Sequence, residues 1–130
     1  MEYTKEKLVK ILDTGIALTK EKDRNRLLDM ILDESMKIAG CDAGTLYIYQ
    51  DNHLHFKVMK TLSMNVDRGK NGEKIDLPPV PVVPENVCAY TVLAKKALNI
   101  SDVYTCSGFD FSGPITYDKM TGYHTQSMLA

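Results

Sequence analysis

Between Thr4 and Leu18 the apolar residues Leu8, Ile11, Leu12, Ile16 and Leu18 recur close to a helical period, with lysine and glutamate on the other side. Thr4 stands where an N-cap belongs. A charged break, Lys20-Glu21-Lys22-Asp23, precedes a clearer repeat in which Leu28, Ile31, Leu32, Ser35, Met36 and Ala39 share one face. Asp23 is placed to cap the start of this second helix, and Gly40 to end it in a left-handed conformation. Because the second helix already offers a sheet a full apolar face, the first has two readings, a core helix or a helix for a partner. Partner contact is the better one.

After Gly40 the period changes to two. Thr45-Leu46-Tyr47-Ile48-Tyr49-Gln50 alternates and is rich in β-formers, and Asp51-Asn52 reads as a tight turn. The run His53 to Lys60 then puts Leu54, Phe56 and Val58 on one face and His53, His55 and Lys57 on the other, which predicts a hairpin with one buried face. Met64 to Gly72 is polar and carries Gly69 and Asn71-Gly72, so it is expected as a loop, with Lys74 to Leu77 as a short edge strand. The prolines 78, 79, 81 and 84 forbid helix and remove ladder donors, leaving an extended connector at the surface or an edge.

Asn86 can cap a helix over 87–96 that carries Val87, Tyr90 or Thr91, and Ala94 on one face and ends in Lys95 and Lys96, which complement its dipole. A short strand over 97–100 follows. Ser101-Asp102 turns into a stretch from Thr105 to Pro114 long enough to cap a cavity. Tyr117 to Thr121 reads as one helical turn ended by Gly122, and Gln126 to Ala130 as the start of a strand. This order predicts an α+β fold, with an antiparallel sheet covered on one side.

At 130 residues the chain is long enough for one domain with a single core. Its 16 basic and 17 acidic residues are interspersed and sum to a net charge of -1, so no basic stripe grips nucleic acid or an anionic membrane surface. There is no run of about 18 apolar residues, and the charged stretch 1–10 lacks a signal-peptide apolar region, so a cytoplasmic protein is expected. Cys41, Cys88 and Cys106 show no metal spacing and are expected as reduced thiols. His53 and His55 share a strand face but have no third ligand near in sequence, so no metal and no cofactor are expected. With no Gly-rich phosphate loop, no paired acid motif and no Gly-x-Ser-x-Gly elbow, no catalytic residue is assigned.

Two motifs carry a resemblance. Ile100-Ser101-Asp102-Val103-Tyr104 resembles the isoleucine-proline-aspartate turn of GAF domains in cyclic-nucleotide phosphodiesterases and cyclases, and Thr121-Gly122-Tyr123-His124-Thr125 resembles their threonine-glycine-aromatic-x-threonine motif. Glu85-Asn86-Val87-Cys88-Ala89-Tyr90 and Phe109-Asp110-Phe111-Ser112-Gly113 are closer to bacterial proteins that couple an N-terminal GAF domain to an HD or HD-GYP phosphohydrolase. The resemblance spans about Asp23 to Ala130. It implies a dimerisation or signalling helix over 1–22 and a GAF domain over 23–130, an antiparallel sheet with helices on one face and a lid over a pocket on the other. Ala130 falls in a half-strand where a GAF domain would continue with two more, so the domain is expected to be C-terminally incomplete, with exposed edges favouring strand exchange or dimerisation.

The implied function is a homodimeric sensor, not an enzyme, that binds a small polar molecule and signals to an attached output such as an HD-type phosphohydrolase. The implied ligand contacts are Val87 and Cys88 at a helix start, Phe109 and Asp110 in the lid, and Asp118, Thr121 and Thr125 after it. Cyclic nucleotide is one candidate ligand, although Asn86 replaces the family's usual glycine and Cys88 takes a small-residue position. Plainer roles stand beside these. Asp102 can cap a turn, Thr121-Gly122 can end a helix, Asp110 can be a cap, and Tyr104, Phe109, Phe111, Tyr117 and Tyr123 can pack as a satellite core. Two other functions fit the resemblance: a GAF dimerisation module without ligand, and a thiol enzyme resembling free methionine sulfoxide reductase, with Cys88 and Cys106 meeting across the pocket.

Overall fold

The computed structural model describes residues 4–130. The order is α1 (Lys5–Lys20), α2 (Arg24–Ala39), β1 (Ala43–Gln50), β2 (His53–Thr61), β3 (Val66–Arg68), β4 (Val80–Pro81), α3 (Val87–Ala94), β5 (Asn99–Ile100), α4 (Ser112–Thr121) and β6 (Met128–Leu129). It is an α+β chain with antiparallel pairings, β1-β2-β3 with β4 also on β2, and β5 with β6. The chain divides into two compact units, one running to Ile48 and resuming over His55–Pro78, the other made of Tyr49–Leu54 and Pro79–Ala130.

In the first unit both helices start at the expected caps. The Thr4 hydroxyl accepts from the Lys7 N–H, and the Asp23 carboxylate accepts from the Asn25 and Arg26 N–H groups. Gly40 ends α2 at φ 68°, its N–H donating to the Met36 carbonyl. Leu32 and Met36 of α2 are buried with Val58 of β2, and Leu28, Cys41 and Leu46 pack around them. Gly44 makes this approach possible: a Cβ there would lie 2.8 Å from Met36 Sδ and 2.9 Å from Leu32 Cδ1.

The alternation of β2 runs one step beyond the apolar run, so Lys60 lands on the covered face and is buried. Its Nζ lies 2.9 Å from Asp29 Oδ1 and 3.5 Å from Asp33 Oδ1 on α2. Burial pulls the Lys60 pKa down, but the hydrogen bond and charge of Asp29, with the charges of Asp33 and Asp67, outweigh it and leave the ammonium raised. β2 is therefore tied to α2 by charge as well as by packing.

Two expectations in this unit need correcting. The polar stretch 64–72 contains β3, joined to β2 by the tight turn 62–65, with Asn65 at φ 53° and Thr61 opposite Val66. Only Val66 of its three residues is even half-buried, so no alternation marked it. The expected strand over 74–77 does not form; Ile75 is buried from irregular backbone, and the added strand is β4, inside the proline run. Gly69, at φ 83°, brings its backbone so near β2 that a Cβ would stand 2.0 Å from the Lys57 carbonyl oxygen.

The second unit begins with the hairpin turn, where Asp51 and Asn52 take φ 53° and 59°, as a two-residue turn between twisted strands requires. Pro81 faces His53 and Val80 faces Leu54, and the Val82 N–H donates to the Asn52 carbonyl. Proline is tolerated because β4 is a short edge. The Asn86 side chain caps α3 by accepting from the Ala89 N–H. The face of α3 differs from expectation, since Val87 and Ala89 are buried and Ala94 is exposed; the helix ends early, with Lys95 left-handed.

α4 is a ten-residue helix, where the sequence predicted one turn. Its start is extended by Asp110, whose carboxylate accepts from the Ser112 N–H, and Pro114 falls in the first turn, where a missing N–H costs no helix bond. The irregular segment accordingly ends at 111, before Pro114, and runs over 101–111. β5 and β6 pair with Asn99 opposite Leu129, and Leu98 and Ala130 exchange both backbone bonds beyond them. The core of this unit is Val87, Ile100, Val103 and Phe111, surrounded by Leu98, Cys106, Phe109, Ile115, Met128 and Ala130.

Candidate functional site

The densest polar cluster of the second unit is built on Asp118, in the last turn of α4. Its side chain is buried, and its two oxygens accept three hydrogen bonds: Oδ2 from the Tyr104 hydroxyl (2.5 Å) and the Thr125 N–H (2.8 Å), Oδ1 from the Thr125 hydroxyl (2.8 Å). Burial raises the Asp118 pKa, but the bonds from Tyr104 and Thr125 and the charge of His124 overcome it, holding the carboxyl below the ordinary 3.8. The hydrogen bond to Asp118, with partial desolvation, raises the Tyr104 hydroxyl above its ordinary value. The Tyr104 ring stacks on His124 at a centroid distance of 4.9 Å and 8° between planes.

Each part of this cluster has a local reason. Tyr104 is fixed by a turn in which its N–H donates to Asp102 Oδ1 and the Cys106 N–H donates to the Asp102 carbonyl. Thr125 follows Gly122, which ends α4 at φ 77° with its N–H on the Asp118 carbonyl. The Val103 N–H donates to the Gln126 carbonyl (2.7 Å), so the segments 100–104 and 121–126 lie side by side.

The other expected contacts lie elsewhere. Thr121 is not in the cluster: its hydroxyl donates to the Tyr117 carbonyl (2.7 Å) and accepts from the Tyr123 N–H (3.3 Å), finishing the helix. Val87 is buried in the core, and Phe109 packs against that core, edge-on to Tyr90 at 5.4 Å and to Phe111 at 6.3 Å. Cys88 is half-buried in the first turn of α3, its carbonyl accepting from the Thr91 hydroxyl. Asp110 is exposed; hydrogen bonding to Ser112 lowers its pKa, and its own N–H donates to the Glu85 carbonyl (2.7 Å). That last bond sets the 105–111 segment beside the start of α3.

Chemically, Asp118 is a positioning group, since its oxygens already accept three donors at good distance. Asp110 is an exposed carboxylate that accepts from Ser112, next to Phe109 and tied by its own N–H to Glu85, just before α3. Asp118 and Thr125 were both expected as ligand contacts and Tyr104 as a packing aromatic; that the three bond to one another was not expected. Two open grooves run along α1. One of about 410 Å³ is lined by Lys5, Glu6, Val9, Lys10 and Asp13, and one of about 260 Å³ by Lys10, Asp13, Thr14, Ala17, Met30 and Glu34.

Among the described residues no group of three or more His, Cys, Asp or Glu side chains could hold a metal ion, and no helix is long and apolar enough to cross a membrane. Fold and site together define an α+β chain with antiparallel sheets and a carboxylate knot that takes three donors on Asp118. No protein-family description matches the chain, and no characterised protein matches it in sequence.

Proposed function

We propose that this chain is the GAF-like input domain of a signalling protein, binding a small polar molecule and reporting its occupancy to an attached output such as an HD-type phosphohydrolase. One observation supports this reading above the others: Tyr104 and Thr125, from the two motifs that resemble the GAF lid, are both held by Asp118. The ligand contacts in this reading are Cys88, Phe109 and Asp110, where a helix start, an aromatic edge and an exposed carboxylate lie along one segment. Asp118 and Thr125 act behind them, holding Tyr104 at the start of the segment, while Thr121 finishes α4. Ligand binding orders 105–111, and the order is what the output domain senses.

Calorimetry against cyclic and linear nucleotides and a metabolite panel tests this, alongside native mass spectrometry of the purified protein for a retained molecule. Saturable binding lost in Asp110→Asn supports the sensor. The closed packing of Val87, Ile100, Val103 and Phe111 favours a second reading, a domain kept for association without ligand. Absence of binding across the panel, with no retained molecule, would select it.

A further inference from the structure

Helix α1 buries none of its residues, yet it is not uniformly exposed. Ile11, Thr14 and Leu18 are half-buried at spacings of three and four, and the Thr14 hydroxyl donates to Glu34 Oε2 (3.3 Å), so this face meets α2. At 100° per residue, Leu8, Val9, Leu12 and Ile16 fall on the side turned away. Leu8 is 50 % exposed, Val9 47 %, Leu12 67 % and Ile16 54 %. Four large apolar side chains form a continuous stripe along one exposed face, which single scattered hydrophobics do not do.

Two borders of that stripe say what covers it. Gly15 lies along one, three residues after Leu12. Its backbone is ordinary helix, and a Cβ there would meet nothing within 4 Å. Among the described residues nothing crowds this position, where alanine would favour the helix; a glycine in such a place lets another backbone or a large side chain come close. The other border carries Glu6, Asp13 and Lys20 at seven-residue steps, acidic at the start and basic at the end. When two identical helices pack antiparallel, like borders face each other with reversed sense, which sets Glu6 against Lys20 of the second copy at both ends. Parallel packing would set this border against the Gly15 side, which has no charge to answer it.

We propose that α1 pairs antiparallel with α1 of a second copy of this chain, Leu8 of each packing over Gly15 of the other and Glu6 facing the second copy's Lys20. The inference holds whether or not the domain takes a ligand. An interface of one helix a side is small, which makes it weak and reversible. It also has one built-in flaw, because the two Asp13 carboxylates meet near the twofold axis.

Sedimentation of the full chain over a wide concentration range should show a monomer–dimer equilibrium. Leu12→Asp should leave only monomer with an unchanged far-ultraviolet spectrum, and Gly15→Leu should weaken the dimer about tenfold while leaving the fold intact. Asp13→Asn should tighten it about twofold by removing a like-charge contact. Carbodiimide cross-linking of an isotope-mixed sample should yield mixed-label peptides joining Glu6 to Lys20. A monomer at every concentration overturns the proposal, and so does a dimer indifferent to both Leu12→Asp and Gly15→Leu. Mixed-label links from Glu6 to Lys7 or Lys10 without Lys20 would mean parallel helices and overturn it as well.

Discussion

Helices α1 and α2 are the same length, 16 residues, and both are capped at the start by a side chain. They end in opposite situations. α2 buries Leu32 and Met36 against β2 and receives Lys60 on Asp29 and Asp33, whereas α1 buries nothing and leaves Leu8, Val9, Leu12 and Ile16 about half exposed or more. Apolar patterning is therefore a statement about supply. Whether a face is buried depends on what stands opposite, and Gly44 is what lets β1 stand opposite α2.

Truncating one leucine on each helix should separate the two most widely. Leu32→Ala should cost about 3 kcal/mol in urea unfolding, because the transfer loss adds to a cavity, while Leu12→Ala should stay within about 0.5 kcal/mol. Equal costs would mean that α1 is covered within a single chain. Next, Lys60→Met should cost about 2 kcal/mol, since it strands the Asp29 carboxylate in a largely buried place; partial exposure of Asp33 keeps this below the loss of a sealed pair. Lys60→Arg should recover part of it.

The same ion pairs predict a pH window for α2. Lys60 is raised above 10.5, so its contribution is complete below that value and is lost as pH climbs through the folded-state pKa. Asp33 is lowered, chiefly by its hydrogen bond from Lys37 against the opposing effect of burial, with Lys60 adding to it. Its contribution is present above 3.8 and lost as pH falls through the lower folded value. Unfolding midpoints measured across pH should fall at both ends, and Lys60→Met should flatten the alkaline limb. A smaller effect than the Leu32 and Lys60 changes is Gly15→Ala, which should raise stability by about 0.5–1 kcal/mol in dilute monomer, with circular dichroism reading the gain. A loss there would mean that Gly15 is already approached within the chain.

What could be read in advance follows the distance between cause and effect. The Thr4, Asp23 and Asn86 caps, the Gly40 and Gly122 stops and the Asp51-Asn52 turn were legible, because each is decided within about four residues. β3 was not, since a three-residue exposed strand has no periodicity and exists only because β2 offers it a ladder. α4 was read short because Ser112, Gly113 and Pro114 are weak helix formers, although the Ser112 N–H finds an acceptor in Asp110. In the candidate site, Tyr104 and Thr125 were visible as motif residues, yet their meeting on Asp118 depends on the β5–β6 pairing that brings 103 beside 126.

By itself, then, the sequence determined the helices' starts and stops, the hairpin turn and the alternation that puts Lys60 on a covered face, all through short-range sterics and hydrogen bonds. Tertiary structure alone decided that Lys60 meets Asp29, that Asp118 gathers Tyr104 and Thr125, and that one of two similar amphipathic helices is left uncovered. Burial and charge pairing are properties of what lies opposite, and residues distant in sequence become opposite only when the chain has folded.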